Sequence, residues 1–315
     1  MMPPVTHHQV DARGISLHVV EQGSGPAVLF CHGFPTTWYS WRSAMEATAA
    51  SGFRAIALDM RGYGDSDAPE AAHLYTAFHT VGDLVAVLDY FGIESTILVG
   101  HDFGASIAWN AAMMRPDRVG AVFAISVSFR VLGEASFLDQ IRAAGKSDFY
   151  MFGQMRAEAD AEWADAERTI PASLYWLSGE APADERWDPF DPEKNMLRPV
   201  ANPPESIAPD YIEEMIRVFG KTGFHAPLNY YRSIDDYFVI ANRAFSGAMI
   251  HQPSFFLTGK ADGLNLLLQP TEESLRHSVP GLRGFAELDG VGHWPQLEAP
   301  KSCNTALVEF LKSLT

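Results

Sequence analysis

Short apolar runs, bounded by glycine, proline or polar residues, dominate the first third of the chain. Ile15–Glu21 alternates apolar with polar positions and reads as a strand, closed by a turn at Gly23-Ser24-Gly25. Ala27–Cys31 and Phe53–Leu58 are continuous apolar runs, the pattern of strands buried on both faces. Thr80–Phe91 carries Val81, Leu84, Val85, Leu88 and Phe91 at helical spacing. Thr96–Val99 is a further buried strand, Ser106–Met114 reads as a helix that stops before Pro116, and Val119–Val127 is strand-like again. Buried strands alternating with helices predict a mostly parallel sheet covered on both faces, an α/β fold.

The pattern changes at about Phe129 and returns after Phe245. Ala157–Glu167 and Pro171–Leu177 read as helical, as do Tyr211–Phe219 and Leu228–Ile240. Between them Glu180–Pro209 holds seven prolines and is expected to be an extended surface loop. Sheet signals resume at Ser254–Leu257 and Gly284–Leu288, and Ala306–Leu314 closes as an amphipathic helix. The expected organisation is a core of residues 1–128 and 246–315, interrupted by a helical cap over 129–245.

Composition changes this picture at three points. The 315 residues would suggest two domains at ~150 residues each, whereas the pattern places an insertion inside one core. The 23 Lys and Arg against 39 Asp and Glu leave a formal charge of −16, which disfavours nucleic acid and anionic membrane surfaces as partners. Cys31 and Cys303 are the only cysteines, so neither a disulfide framework nor a cysteine-rich zinc site is expected. Met1 to Asp11 lacks the form of a signal peptide, and no run approaches the ~20 apolar residues of a membrane span. The expectation is a cytoplasmic protein, with a homodimer left open.

The candidate chemistry begins at Gly100-His101-Asp102-Phe103-Gly104-Ala105, between a buried strand and a helix. A small–x–nucleophile–x–small sequence at such a junction lifts the central side chain clear of the sheet. Serine is its usual occupant; here it is Asp102. Alternatively, the glycines merely permit a tight turn and Asp102 caps the following helix. A carboxylate nucleophile attacks an alkyl carbon and forms an ester. Its partners should follow in the order acid, then histidine. Leu257-Thr258-Gly259-Lys260-Ala261-Asp262 puts Asp262 just past a buried strand, and Gly290-Val291-Gly292-His293-Trp294 puts His293 in a loop before the last helix. Asp289 is the rival acid, too close to His293 in sequence to be preferred. The loop Phe30-Cys31-His32-Gly33-Phe34-Pro35 follows the first buried strand, where the N–H of Phe34, with that of Phe103, would form an oxyanion hole. Phe34-Pro35 is also a bond at which a cis peptide is cheap. Asp59–Ser66 lacks the third glycine of a dinucleotide fingerprint and reads as a structural loop.

Over nearly its whole length the chain resembles the α/β-hydrolase-fold epoxide hydrolases. The resemblance rests on His32-Gly33-Phe34-Pro35-Thr36-Thr37-Trp38-Tyr39-Ser40-Trp41-Arg42, on Asp59-Met60-Arg61-Gly62-Tyr63-Gly64-Asp65-Ser66, and on Gly100–Ala105. Leu228-Asn229-Tyr230-Tyr231-Arg232 and Gly292-His293-Trp294 complete it. It implies an enzyme without cofactor or metal that converts a small hydrophobic epoxide and water to a vicinal diol. The catalytic residues would be Asp102, His293 and Asp262, with Tyr231 of the insertion donating to the epoxide oxygen. The family's second cap tyrosine falls on Phe149 if the segment ending at Gln154 is aligned without a gap, and on Tyr150 with one deletion; Tyr150 is the expectation. Phe103 departs from the family's common tryptophan. Trp38, Phe149, Phe152 and Tyr175 are expected to line an aromatic substrate pocket, although core packing accounts for such residues as well.

Two competing readings remain. Haloalkane and haloacid dehalogenases share the aspartate nucleophile, but Phe34 and Phe103 offer a leaving halide no side-chain N–H. A non-catalytic ligand-binding protein on the same scaffold would be marked by loss of a triad member.

Overall fold

The computed structural model describes residues 4–314. Eight strands form one sheet: β1 (Thr6–Asp11), β2 (Ser16–Gly23), β3 (Ala27–Cys31), β4 (Arg54–Leu58), β5 (Thr96–His101), β6 (Val119–Ile125), β7 (Ser254–Gly259) and β8 (Leu282–Leu288). Their order is β1-β2-β4-β3-β5-β6-β7-β8, with only the β1–β2 and β2–β4 pairs antiparallel. The crossovers between parallel strands carry helices to both faces. On one face Trp41, Met45, Phe123, Leu307, Phe310 and Leu311 form a compact core, with the helices Arg42–Ala50 and Pro300–Lys312 outside it. On the other, the helices Ala77–Tyr90 and Phe103–Met114 cover the sheet.

β1 has no counterpart in the periodicity. Its Thr6, His7 and Gln9 are exposed at the sheet edge, so the hydrophobic alternation that betrays a half-buried strand never appears.

All residues from Ser126 to Pro253 separate β6 from β7, and their regular elements are helical. The expected helix Leu228–Ile240 is two helices, His225–Arg232 and Ile234–Ala244, which meet at Ser233, whose hydroxyl donates to the Tyr230 carbonyl. The expected Ala157–Glu167 helix also divides. Asp165 interrupts it and caps the next helix, Ala166–Trp176, by accepting from the Arg168 N–H. Among the described residues between Trp176 and Pro209, the only regular element is the 3-10 turn Pro192–Lys194. The insertion is tied to the core by directional bonds. Tyr230 donates to the Arg61 carbonyl, Asn229 to that of Glu70, and Tyr237 to Asn110. Among the described residues, no helix is long and apolar enough to cross a membrane.

Candidate active site

β5 ends at His101, and the chain turns into the next helix through Asp102 at φ 54°, ψ −121°. A non-glycine residue in that region costs about 1–3 kcal/mol, so the surroundings must hold it there. The turn is tight because helix and strand touch: a Cβ on Gly104 would collide with the Cys31 carbonyl oxygen of β3. Asp102 stands at the N-cap position without capping through its side chain. Its carboxylate turns instead toward two backbone donors. The Phe34 N–H donates to Oδ1 at 2.8 Å, and the Phe103 N–H lies near enough to favour the ionised form. Gly33 permits this approach, since a Cβ there would strike the carboxylate. The Phe34-Pro35 peptide is cis. His32 braces the loop from behind: Nδ1–H donates to the Gly33 carbonyl at 2.9 Å, and Nε2 accepts from the Met60 N–H at 3.0 Å. Burial pushes its pKa down to about 4, which keeps it neutral.

His293 lies in the loop after β8. Its Nδ1–H donates to Asp262 Oδ2 at 3.0 Å, while Nε2 faces Asp102 Oδ2 at 3.7 Å, beyond hydrogen-bond reach. Asp262 follows β7 and fixes its other oxygen on the Leu264 N–H at 2.9 Å. Asp289, the rival acid, points to solvent in an ion pair with Lys260 at 2.7 Å. Burial raises the pKa of Asp102, opposed by His293 and by the two N–H donors. Burial alone would lower that of His293, but Asp262, with Asp102 and Glu298 behind it, carries it above the ordinary value. Asp262 thereby sets both the ring's orientation and its basicity.

Two supports of His293 escaped the sequence reading. His101 donates from Nε2 to the His293 carbonyl at 2.7 Å, joined by Ser126 Oγ at 3.0 Å. Glu298 receives three backbone N–H groups: Gly292 at 2.9 Å, Trp294 at 2.9 Å, and Gly179 of the insertion at 2.8 Å. One carboxylate thus clasps both flanks of His293 and a turn of the insertion. The only sequence signal is an acid shortly after the histidine, a spacing too common to single it out.

From the insertion, Tyr231 packs its ring 4.7 Å from Phe103 and 5.4 Å from Phe34, centroid to centroid. Tyr150 stands 6.2 Å from Tyr231, edge-on. Desolvation raises both phenol pKa values, and the charge on Asp102 raises them further, so each remains a neutral O–H donor. Neither hydroxyl has a hydrogen-bond partner among the described residues. By contrast, Tyr75 and Tyr230 spend theirs on the carbonyls of Pro69 and Arg61.

The pocket residues expected from sequence are largely placed elsewhere. Phe149, the alternative to Tyr150, is a core residue ringed by Phe137, Phe152 and Phe190. Phe152 packs against Phe149 and under the Arg142 guanidinium. Trp38 lies against His7 and His18 of the antiparallel strands, and its backbone N–H donates to Asp59. Tyr175 faces a surface groove with Trp176 and Pro203. None of these four lines the space at Asp102. Aromatic character served packing at each, and its direction could not be read from composition. The cavity that does open on Asp102 has a volume of about 230 Å³ and is lined by Phe103, Ser106, Asn110, Tyr150, Met151 and Tyr237, among others.

A backbone-cradled carboxylate, an acid-backed histidine and two free phenols can together open a strained ring and hydrolyse the resulting ester. Comparison with known proteins gives the family. Residues 26–300 match the family model of the alpha/beta hydrolase fold. The chain is 52% identical to an epoxide hydrolase of Caballeronia sordidicola over 98% of this chain and 94% of that protein. It belongs to the epoxide hydrolases of the α/β-hydrolase fold. Epoxide hydrolase A of Mycobacterium tuberculosis is 36% identical, with 98% of each chain covered. The solved structure of an epoxide hydrolase from an endophytic Streptomyces superposes with a TM-score of 0.91 at 34% identity, covering 98% of this chain and 96% of that one. Family membership thus rests on nearly the whole chain.

Proposed function

We propose that the protein converts an epoxide to a vicinal diol through a covalent ester on Asp102. The reading assigns residues 1–128 and 246–315 to a catalytic core and 129–245 to a cap that carries the phenols. In the first step Asp102 Oδ2 attacks a ring carbon and the C–O bond of the epoxide breaks. Tyr231 and Tyr150 donate hydrogen bonds to the developing alkoxide, which takes a proton from one phenol, itself reprotonated from solvent, to leave a 2-hydroxyalkyl ester. In the second step His293 Nε2 accepts a proton from water as the water oxygen attacks the ester carbonyl carbon. The negative charge then falls on Oδ1, the oxygen on which the Phe34 N–H already sits, with the Phe103 N–H beside it. Collapse expels the diol alkoxide, which takes the proton from His293 and leaves Asp102 as the carboxylic acid. That acid then loses its proton to solvent, which balances the proton taken up in the first step and restores the carboxylate.

Esterification also primes the base. The charge of Asp102 is one of those that raise the pKa of His293. Once that carboxylate becomes a neutral ester, His293 gives up its proton more readily and is ready for water.

The observation that carries the reading is the pair of phenols without partners beside the carboxylate. A halide leaves as a stable anion, whereas an opened epoxide leaves an alkoxide that needs a donor; the free hydroxyls fit the second task. Replacing His293 with Gln should preserve alkylation and stop hydrolysis. Incubated with an epoxide that the wild type turns over, His293→Gln should show a mass increase of one epoxide on the peptide containing Asp102. No adduct at that peptide would refute the covalent scheme.

A further inference from the structure

Asp102, Tyr150 and Leu264 line two spaces, one on each side of the nucleophile, and the two differ sharply in size. Toward Phe103 and Tyr237 the cavity holds about 230 Å³. A dry cavity of ~150 Å³ already accommodates benzene, so a phenyl ring or a short chain fits. Toward His293 the space is about 10 Å³, close to the minimum of ~10–15 Å³ that one water requires. The reaction centre sits at the junction of the two.

The small side is closed by Leu177, Trp187 and Met196 of the insertion. Trp187 is buried, stands edge-on to Tyr150 at 5.0 Å between centroids, and lies over Gly263, where its own ring and carbonyl leave no room even for a Cβ. It cannot swing aside without moving Tyr150. Met196, also buried, is the more deformable wall. His293 faces this same space, so a substrate group placed there would both clash and occupy the position from which water must attack.

We infer that the enzyme is specific for epoxides whose bulk is confined to one ring carbon, that is, mono- and 1,1-disubstituted oxiranes, and that Trp187 and Met196 set this limit. The substituted carbon lies toward the large cavity, and the bare methylene toward His293. This rests on the reading of Asp102 as nucleophile.

The test compares kcat/KM for styrene oxide and trans-stilbene oxide in the wild type, Met196→Ala and Trp187→Phe. The two substrates share one phenyl arm, and the second adds a ring on the other carbon. The wild type should prefer styrene oxide by about 100-fold or more, the scale on which an overfilled pocket discriminates. Met196→Ala should shrink that preference by about tenfold, and Trp187→Phe should shrink it in the same direction. Comparable turnover of both epoxides by the wild type would overturn the inference and leave the hydrolase reading intact. A preference unchanged in both variants would remove these walls as its cause. Turnover of neither epoxide would instead remove the activity on which the inference rests.

Discussion

The strand ends and the helical insertion both reach the reaction centre, yet they hold their side chains by different means. At the strand ends the charged groups are fixed by directional hydrogen bonds, to backbone or, for the His293 ring, to the Asp262 carboxylate. Asp102 has two N–H donors, Asp262 has the Leu264 N–H, and the carbonyl of His293 receives both His101 and Ser126. In the insertion, Tyr150 and Tyr231 are held by ring contacts with Phe34, Phe103 and Trp187, and their polar ends are left free. The difference follows from what each must do. A buried charge is tolerable only when its hydrogen bonds are satisfied, whereas a neutral donor serves a transient alkoxide best if nothing else already occupies it.

That division predicts separate kinetic effects. Removing both phenol hydroxyls, in Tyr150→Phe with Tyr231→Phe, should slow alkylation by about 10²–10⁴-fold, the usual share of a positioned proton donor. Tyr231→Phe alone should cost about tenfold or more. Since hydrolysis of the ester uses His293 and the backbone donors, its rate should stay close to wild type. Rapid-quench measurement of ester formation and decay separates the two steps. An equal loss in both would mean that the phenols and the triad do not act as distinct units.

Acid should strike the other unit. His293 must be neutral to accept a proton from water, and its pKa lies above the ordinary 6.5. Hydrolysis is therefore intact at pH above the pKa that His293 has in the ester and falls about tenfold per unit below it. Alkylation needs ionised Asp102, whose pKa is raised from 3.8, so it too is lost toward acid. In the ester, Asp102 no longer bears the charge that helps raise the pKa of His293. The acid limb of single-turnover hydrolysis should consequently lie below the pKa of His293 titrated by NMR in the free enzyme. A limb at or above the free-enzyme value would exclude the proposed coupling.

The same division explains what the sequence disclosed. Gly100-His101-Asp102-Phe103-Gly104 is legible because the touching of β3 by the next helix forbids a Cβ at Gly104, leaving a short and specific string. Asp262 and His293 are legible by their order after strands, and Asp289, too close to His293 in sequence to be preferred, lies at the surface in an ion pair with Lys260. The aromatic residues carry no such mark. Trp38, Phe149, Phe152 and Tyr175 have the composition of a substrate pocket, and each packs away from it, because burying a ring is favourable on any face. Tyr150 and Phe149 are neighbours in sequence, and only the packed helix decides which of them meets Asp102. β1 hides for the opposite reason, being polar throughout most of its exposed edge.

Glu298 is where the two regions meet, and it gives the smallest and most discriminating prediction. Its carboxylate receives N–H groups from both sides of His293 and from Gly179 of the insertion. In Glu298→Gln the side-chain NH₂ must face one of these donors, so the loop should loosen and hydrolysis should slow by about three- to tenfold, a loss on the scale of one hydrogen bond at about 1 kcal/mol. Alkylation, which does not use His293 as a base, should change little. A merely structural role predicts no more than this. However, Glu298 also contributes to the raised pKa of His293, and removing its charge should move the acid limb of hydrolysis to lower pH. The variant should thus be slower near neutrality yet keep a larger share of its own maximum in acid. Slower hydrolysis with an unmoved acid limb would reduce Glu298 to a clasp between the histidine loop and the insertion, without an electrostatic part in tuning the base.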